Sequence, residues 1–501
     1  MAAYLVGVDI GTQGTKAALF DTDLRSLGTA FEDSRLVQPE VGTVWQEADD
    51  IYGSVLRVIK ELVERFGVKR GEVAAVGIDS QMAGIMGMAA DGEASTCYDS
   101  WLDTRCRDYV AVMRERGERR IIELTGGPVT YTHGPKILWW KHERPDAYKK
   151  TAKFVLPHAW AACKLCGLKA KDAYFDWTHL QYSGFADNLR KEWSGELLSL
   201  FGVDGEKMAR IVSPFEIIGK VNAEAAVLSG LAEGTPVAAG AGDTAASIFG
   251  AGLFETDDVL DCAGTASVFC CAAGAFSPDV THKTMTMMRS PEDGMWFPLA
   301  YINGGGLCIR WFRDSFSGVP PCSYVELEKE SEKIPAGSEG IVFVPHFAGR
   351  VLPADPGLKG SFSGLDFRHS RAHLFRAVME GIAYEYAFYL SVLRDLYPAG
   401  NFRRMISIGG GSKSGLFTSI KADVLALTAQ CYRVGDTALV GSAVIAGYGA
   451  GVFSDYRAVV RKTIQEEAPI RFNEENHKQY RRMIQKYLAV IGAQAAADGA
   501  I

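Results

Sequence analysis

The sequence predicts an α/β protein built of two domains that face one another, and three observations carry that expectation. The chain has 501 residues, 48% of them hydrophobic, which exceeds what one core usually accommodates and suffices for two. Strand-like and helix-like periodicities alternate along its whole length. A hairpin with a glycine- and hydroxyl-bearing tip occurs at the start and again just past the middle, one in each half. The division is expected near residue 254, giving domains of 1–254 and 255–501.

The elements follow in order. Tyr4 to Asp9 is a short β-rich run ending in an acid, Gly11-Thr12-Gln13-Gly14-Thr15 a turn, and Lys16 to Asp21 the returning strand. From Asp49 to Phe66 the apolar residues Ile51, Val55, Val58, Ile59, Leu62 and Val63 recur with a helical period, and Val73 to Ile78 reads as a buried strand. Val237 to Ala246 reads as strand, tight turn at Gly240-Ala241-Gly242-Asp243, then a helix of small residues. Val259 to Ser267 repeats the opening chemistry, with an apolar strand running into Gly264-Thr265. Met405 to Ile408 leads through Gly409-Gly410-Gly411-Ser412-Lys413-Ser414 into a helix marked by Phe417, Ile420, Val424 and Leu427.

Several functions are excluded. A formal charge of −7, from 53 Lys and Arg against 60 Asp and Glu, offers no electropositive face for nucleic acid. The N-terminus, Met1-Ala2-Ala3-Tyr4-Leu5-Val6-Gly7-Val8-Asp9, lacks a basic region and carries an acid in its apolar run, so no secretory signal is expected and a cytoplasmic location is. The uncharged stretch Thr437 to Phe453 is shorter than the ~20 residues that span a bilayer, and reads as a buried element rather than a membrane partner. Cys163 and Cys166 have CxxC spacing, but there is no second pair, and His158 and His179 do not fall at zinc-finger intervals.

Glycine turns let backbone N–H groups approach phosphate oxygens, and adjoining hydroxyls add donors; Gly11-Thr12-Gln13-Gly14-Thr15 and Gly264-Thr265 supply both. Two such turns could grip one polyphosphate from opposite sides. The first is no Walker A loop, since its spacing is wrong and a strand follows it. Asp9 ends a buried strand beside this turn, where a carboxylate can hold Mg²⁺ directly or through water. Asp243 stands among small residues that leave room for a substrate, where a base can take the proton of an attacking hydroxyl.

In this order, Asp9 with its hairpin, Asp243 with its turn, Gly264-Thr265 and Gly409-Gly410-Gly411 resemble the signature segments of the FGGY carbohydrate kinases, within the actin-like ATPase superfamily. The resemblance spans essentially the whole chain. It implies two actin-like (ribonuclease H-like) domains, each a mixed sheet flanked by helices, with ATP and a sugar in the cleft between them. It further implies that Thr12, Gln13, Thr15, Gly264 and Thr265 contact the ATP phosphates, that Gly410, Gly411 and Ser414 lie near adenosine, and that Gly306 and Arg310 line the nucleotide cleft. Asp243 would be the catalytic base and Asp9 the aid to Mg²⁺.

For the acceptor, Ser80-Gln81-Met82-Ala83-Gly84 resembles Gly-Gln-Met-His-Gly of the xylulokinase branch, and Trp101-Leu102-Asp103-Thr104-Arg105 resembles Trp-Asn-Asp-Gly-Arg. Gln81, Met82, Trp101, Asp103 and Asp243 are therefore expected at the sugar, with Tyr131 matching a substrate-contacting tyrosine of the glycerol kinase branch. Two departures stand out: Ala83 replaces a histidine, and Gly349-Arg350-Val351-Leu352-Pro353 replaces Gly-Glu-Arg-Thr-Pro in a loop expected near the cleft mouth. The expected acceptor is a xylulose-like pentulose, the alternatives being ribulose, a polyol or an autoinducer-type sugar, or an actin-like ATPase that is no kinase. The expected partners are this small sugar and, among proteins, at most a second copy in a homodimer.

Overall fold

A computed structural model describes residues 3–498. The first sheet contains β1 (Tyr4–Ile10), β2 (Gly14–Asp21), β3 (Ser26–Asp33), β4 (Val73–Ser80), β5 (Ile217–Lys220), β6 (Pro236–Ala238) and β7 (Ala241–Gly242). Its spatial order is β5-β6-β4-β1-β2-β3, with β7 also on β4. The β1–β2 and β2–β3 pairs are antiparallel and β1–β4 is parallel. β1 is apolar almost throughout because both faces of the sheet are covered. On one face lies α1 (Ala48–Arg65), which buries Ile51, Val55, Val58, Ile59, Leu62 and Val63, the stripe that its sequence period requires.

The second sheet repeats this plan with β8 (Val259–Ala263), β9 (Ser267–Cys271), β10 (Thr286–Arg289), β11 (Trp296–Ile302), β12 (Arg404–Ile408), β13 (Thr428–Arg433) and β14 (Gln465–Glu466). The order is β10-β11-β9-β8-β12-β13-β14. Again an antiparallel hairpin, β8–β9, lies beside a parallel neighbour, here β12. The helices that bear on the site are α2 (Asp243–Gly250), α3 (Gly305–Phe316), α4 (Arg371–Leu396), α5 (Gly415–Leu425) and α6 (Thr437–Gly449).

The uncharged segment beginning at Thr437 is α6, and it does not stay with its own half of the chain. It lies on the first sheet, against β1, β4 and α2. Such close backbone approach needs glycine: a Cβ on Gly77 of β4 would sit 2.0 Å from the Ser442 carbonyl oxygen of α6, and one on Gly441 of α6 2.1 Å from that of Ala246 in α2. The sequence division at 254 thus describes the two sheets, whereas α6 crosses back over it. Around α2 and α6 an apolar cluster joins both sheets, with Leu5, Ala75 and Phe249 from one side and Leu260, Cys270 and Ile406 from the other. Among the described residues no helix is long and apolar enough to cross a membrane.

Candidate active site

Three acids converge at the ends of first-sheet elements. The parallel register of β1 and β4 sets Asp9 directly beside Asp79, and α2 begins with Asp243. Burial first, then the charge of Asp243, pushes the Asp9 carboxyl up to about 7, against partial offsets from the adjoining Asp79 carboxyl and from Lys16. Burial and the charge of Asp9 raise Asp79 well above the usual range. Asp79 accepts a 2.5 Å hydrogen bond from the Ser442 hydroxyl of α6. One oxygen of Asp9 and one of Asp79 are buried with no hydrogen-bond partner. Two converging, unsatisfied carboxylate oxygens that resist ionisation fit a divalent cation, whose charge would relieve both conditions.

Asp243 is held differently. Its Oδ1 accepts from the Thr244 amide at 2.5 Å and from the Thr244 hydroxyl at 3.0 Å, which fixes the carboxylate plane. Burial raises its pKa, and these Thr244 hydrogen bonds pull it back. A carboxylate anchored through one oxygen presents the other to a hydroxyl. Lys16, opposite Asp9 on β2, pairs with Asp436 at 2.7 Å and ties the first hairpin to the turn before α6.

Both hairpins turn through three residues, Gly11–Gln13 and Gly264–Ala266. Gln13 and Thr265 are exposed and Thr12 half-buried at the tips. Thr15 is a correction: its hydroxyl is buried and lies 2.6 Å from that of Ser54 on α1, behind the hairpin. Gly306 belongs to the wall of the second hairpin, since a Cβ there would lie 2.1 Å from the Gly264 carbonyl oxygen, and the Leu307 amide donates to Thr265 O at 3.2 Å. Arg310 stands exposed on the same helix. In the three-glycine turn, Gly411 packs on Ala263, whereas a Cβ on Gly410 would have its nearest neighbour at 3.9 Å. Ser414 is the N-cap of α5, its oxygen accepting from the Phe417 amide at 3.0 Å.

On the acceptor side, the Trp101 indole donates to the Thr12 hydroxyl at 2.8 Å, and Thr12 lies 3.3 Å from Gln81, so the segments expected at sugar and phosphate touch. The Gln81 amide also donates to Gln46 at 2.6 Å. Met82 packs on Gly242, beside Asp243. Asp103 is a second correction. Its carboxylate is buried and spent on the Val44 amide at 2.8 Å, the Arg105 amide at 3.0 Å and the Arg105 guanidinium at 2.8 Å, so it shapes the loop that presents Trp101. Tyr131 is half-buried, its carbonyl accepting from the buried Lys136 at 2.5 Å.

Family models for the FGGY carbohydrate kinases match both halves of the chain, the N-terminal domain over residues 4–250 and the C-terminal domain over 263–450. The chain belongs to the FGGY family of carbohydrate kinases. Its relatives include the xylulose kinase of Bacillus subtilis, 26% identical over 97% of this chain and 96% of that one. The autoinducer-2 kinase of an Enterobacter species is 27% identical over 98% and 94%. In fold it resembles the ligand-bound xylulose kinase of Lactobacillus acidophilus, with a TM-score of 0.91, 22% identity and 99% of each chain covered.

As an FGGY kinase the protein is an ATP-dependent phosphotransferase acting on a sugar-like alcohol. Its geometry gathers Asp9, Asp243, Thr12, Gln81, Met82 and Trp101 about one region of the first domain. The acid missed by sequence reasoning is Asp79; its signal was that of Asp9, an acid closing a buried apolar strand. Arg350 lies in the loop that replaces Gly-Glu-Arg-Thr-Pro. Its guanidinium turns into the second domain and pairs with the buried Glu385 of α4 at 2.8 Å.

Proposed function

We propose that this FGGY kinase transfers the γ-phosphate of ATP to a hydroxyl of a xylulose-like pentulose or a closely related linear sugar, with Asp243 as the base. The observation that carries the reading is the Asp243 carboxylate, anchored through Oδ1 by Thr244 at the start of α2. Asp243 takes the proton of the attacking hydroxyl as its oxygen bonds to the γ-phosphorus; the bond from that phosphorus to the bridging oxygen breaks and ADP leaves. Amides and hydroxyls at the tips of both hairpins steady the charge on the phosphates. Asp9 and Asp79 would hold a divalent cation such as Mg²⁺, which when bound offsets phosphate charge. Trp101 and Gln81 orient the sugar, and their contact with Thr12 ties that orientation to the phosphate hairpin.

One observation favours an acceptor other than D-xylulose. Ala83 sits at φ +65°, between Met82 and Gly84, with no side-chain donor or acceptor where the xylulokinase-like segment has histidine. A sugar hydroxyl left without its partner costs about 1–3 kcal/mol, or roughly 5- to 150-fold in discrimination. The test compares kcat/KM for D-xylulose, L-xylulose, D-ribulose, L-ribulose, glycerol and hexoses in wild type and in Ala83→His. D-xylulose is expected to be a poor acceptor that improves in the variant. A wild-type preference for D-xylulose above about tenfold, with no gain in Ala83→His, removes Ala83 from the account of specificity.

A further inference from the structure

Behind the acids lies a group that the transfer itself does not use. His158, Asp176 and His179 are wholly buried, and their ligand atoms lie close enough together to raise the question of a metal. The donors present answer it differently, because both oxygens of Asp176 are already occupied by protein. Oδ1 accepts from the Thr178 amide at 2.9 Å and from the Thr178 hydroxyl. Oδ2 accepts from His179 Nδ1 at 2.9 Å and lies 3.0 Å from His158 Nε2. Although burial alone would raise it, the charge of His179 and the close approach of the His158 and His179 rings hold the Asp176 carboxyl well below the usual range.

Two arms run outward from this carboxylate. The Thr178 hydroxyl, donating to Asp176, accepts the Gly242 N–H at 2.9 Å, and Gly242 is the residue immediately before Asp243. The same segment reaches the same loop a second time, where the Tyr174 hydroxyl donates to Ala239 O at 2.8 Å. On the other side, His158 packs its Nε2 3.0 Å from Asp176 Oδ2 without a hydrogen bond, and its Nδ1 lies 2.7 Å from the Ser80 hydroxyl. Ser80 ends β4, directly after Asp79.

We propose that Asp176 is a positioning residue that fixes the base against the acid pair, holding Asp243 by hydrogen bonds through Thr178 and Gly242 and packing against His158, which reaches the Asp79 strand end through Ser80. The inference rests on the proposed role of Asp243. Its chemical motive is spacing: the proton acceptor and the groups that face the phosphates stand on different elements, and a misplacement of ~1 Å can cost about 10²-fold in rate. A shared buried anchor for both elements holds that distance without touching substrate, cation or nucleotide.

The test uses Thr178→Val, which keeps the side-chain shape and removes the hydroxyl, with Thr178→Ser as the conservative control and Thr178→Ala in reserve should the valine variant fail to fold. Thr178→Val is expected to lower kcat about tenfold or more with both KM values within about twofold, and Thr178→Ser to recover most of the loss. Amide exchange at Gly242 is expected to speed by about tenfold in Thr178→Val and to stay slow in Thr178→Ser. Exchange is measured without any sugar, so it separates this inference from the kinase reading. Unchanged Gly242 exchange in a folded Thr178→Val, wild-type kcat, or a loss confined to KM would each overturn the assignment. A wild-type enzyme that turns over no acceptor, while Gly242 exchange responds as stated, leaves the anchor standing and removes the role of Asp243.

Discussion

At the scale of the residue, what each acid does is set by the hydrogen bonds already taken up around it. Asp103 and Asp243 are both acids beside tight turns, the one in a loop and the other at the first position of α2, yet Asp103 spends its carboxylate on Val44 and Arg105, whereas Asp243 is anchored through one oxygen by its own neighbour. Residue type was legible in the sequence and saturation was not, because the donors that occupy Asp103 include an amide 59 positions away. Asp9 and Asp79 yield a prediction with a defined sign. An unfolded chain ionises Asp9 near its ordinary 3.8, and the folded protein keeps the proton up to about 7. Stability from this group is therefore full below the ordinary value and lost as pH rises toward the folded one. Without divalent cations, Tm is expected to fall between about pH 4 and 7, more steeply than in Asp79→Asn, and Mg²⁺ is expected to raise Tm more at pH 8 than at pH 5. Thermal melts across pH with and without Mg²⁺ check this, and a flat profile indifferent to the cation contradicts it.

At the scale of the element, the strand–turn–helix units were readable because glycine, apolar period and helix start fall in sequence order. The elements shifted by only a residue or two, but one such shift mattered. β4 runs on to Ser80 rather than stopping at Ile78, and this brings Asp79 into register with Asp9. Thr15 was misplaced for a related reason: alternation along β2 turns its hydroxyl toward α1 and away from the tip. The glycines of the cleft also separate into two kinds. Gly306 is packed against the Gly264 carbonyl, whereas a Cβ on Gly410 would meet only the Ala263 carbonyl oxygen, at 3.9 Å. Gly410→Val is accordingly expected to fold normally and weaken ATP by about tenfold or more, with sugar affinity unchanged, because the branched group intrudes where the nucleoside approaches. Gly306→Val is expected to destabilise the second domain by about 1–3 kcal/mol through overpacking. Calorimetric titration of both ligands and thermal melts distinguish the two; weaker sugar and unchanged ATP in Gly410→Val would place the ligands in the wrong halves.

At the scale of the whole molecule, the chain carries the same sheet plan twice, and the two copies differ in the acids at their strand ends. Two residues before the first-hairpin glycine stands Asp9, paired in register with Asp79; two before Gly264 stands Cys262, paired with Ile408. The second sheet does have an acid, Asp261, but one position earlier. There it is buried and bonded to Lys421, Ser407 and Tyr386. The repeat was legible because hairpin tips are local, whereas the return of α6 across the first sheet depends on contacts between Gly77 and Ser442, which no local pattern announces. The most direct test of the account is sugar-dependent release of ADP by wild type and by Asp243→Asn, with ATP affinity measured on both. Asp243→Asn is expected to fold, to bind ATP as wild type does and to lose about 10²-fold or more in kcat. Turnover near the wild-type rate by a folded Asp243→Asn protein would contradict it.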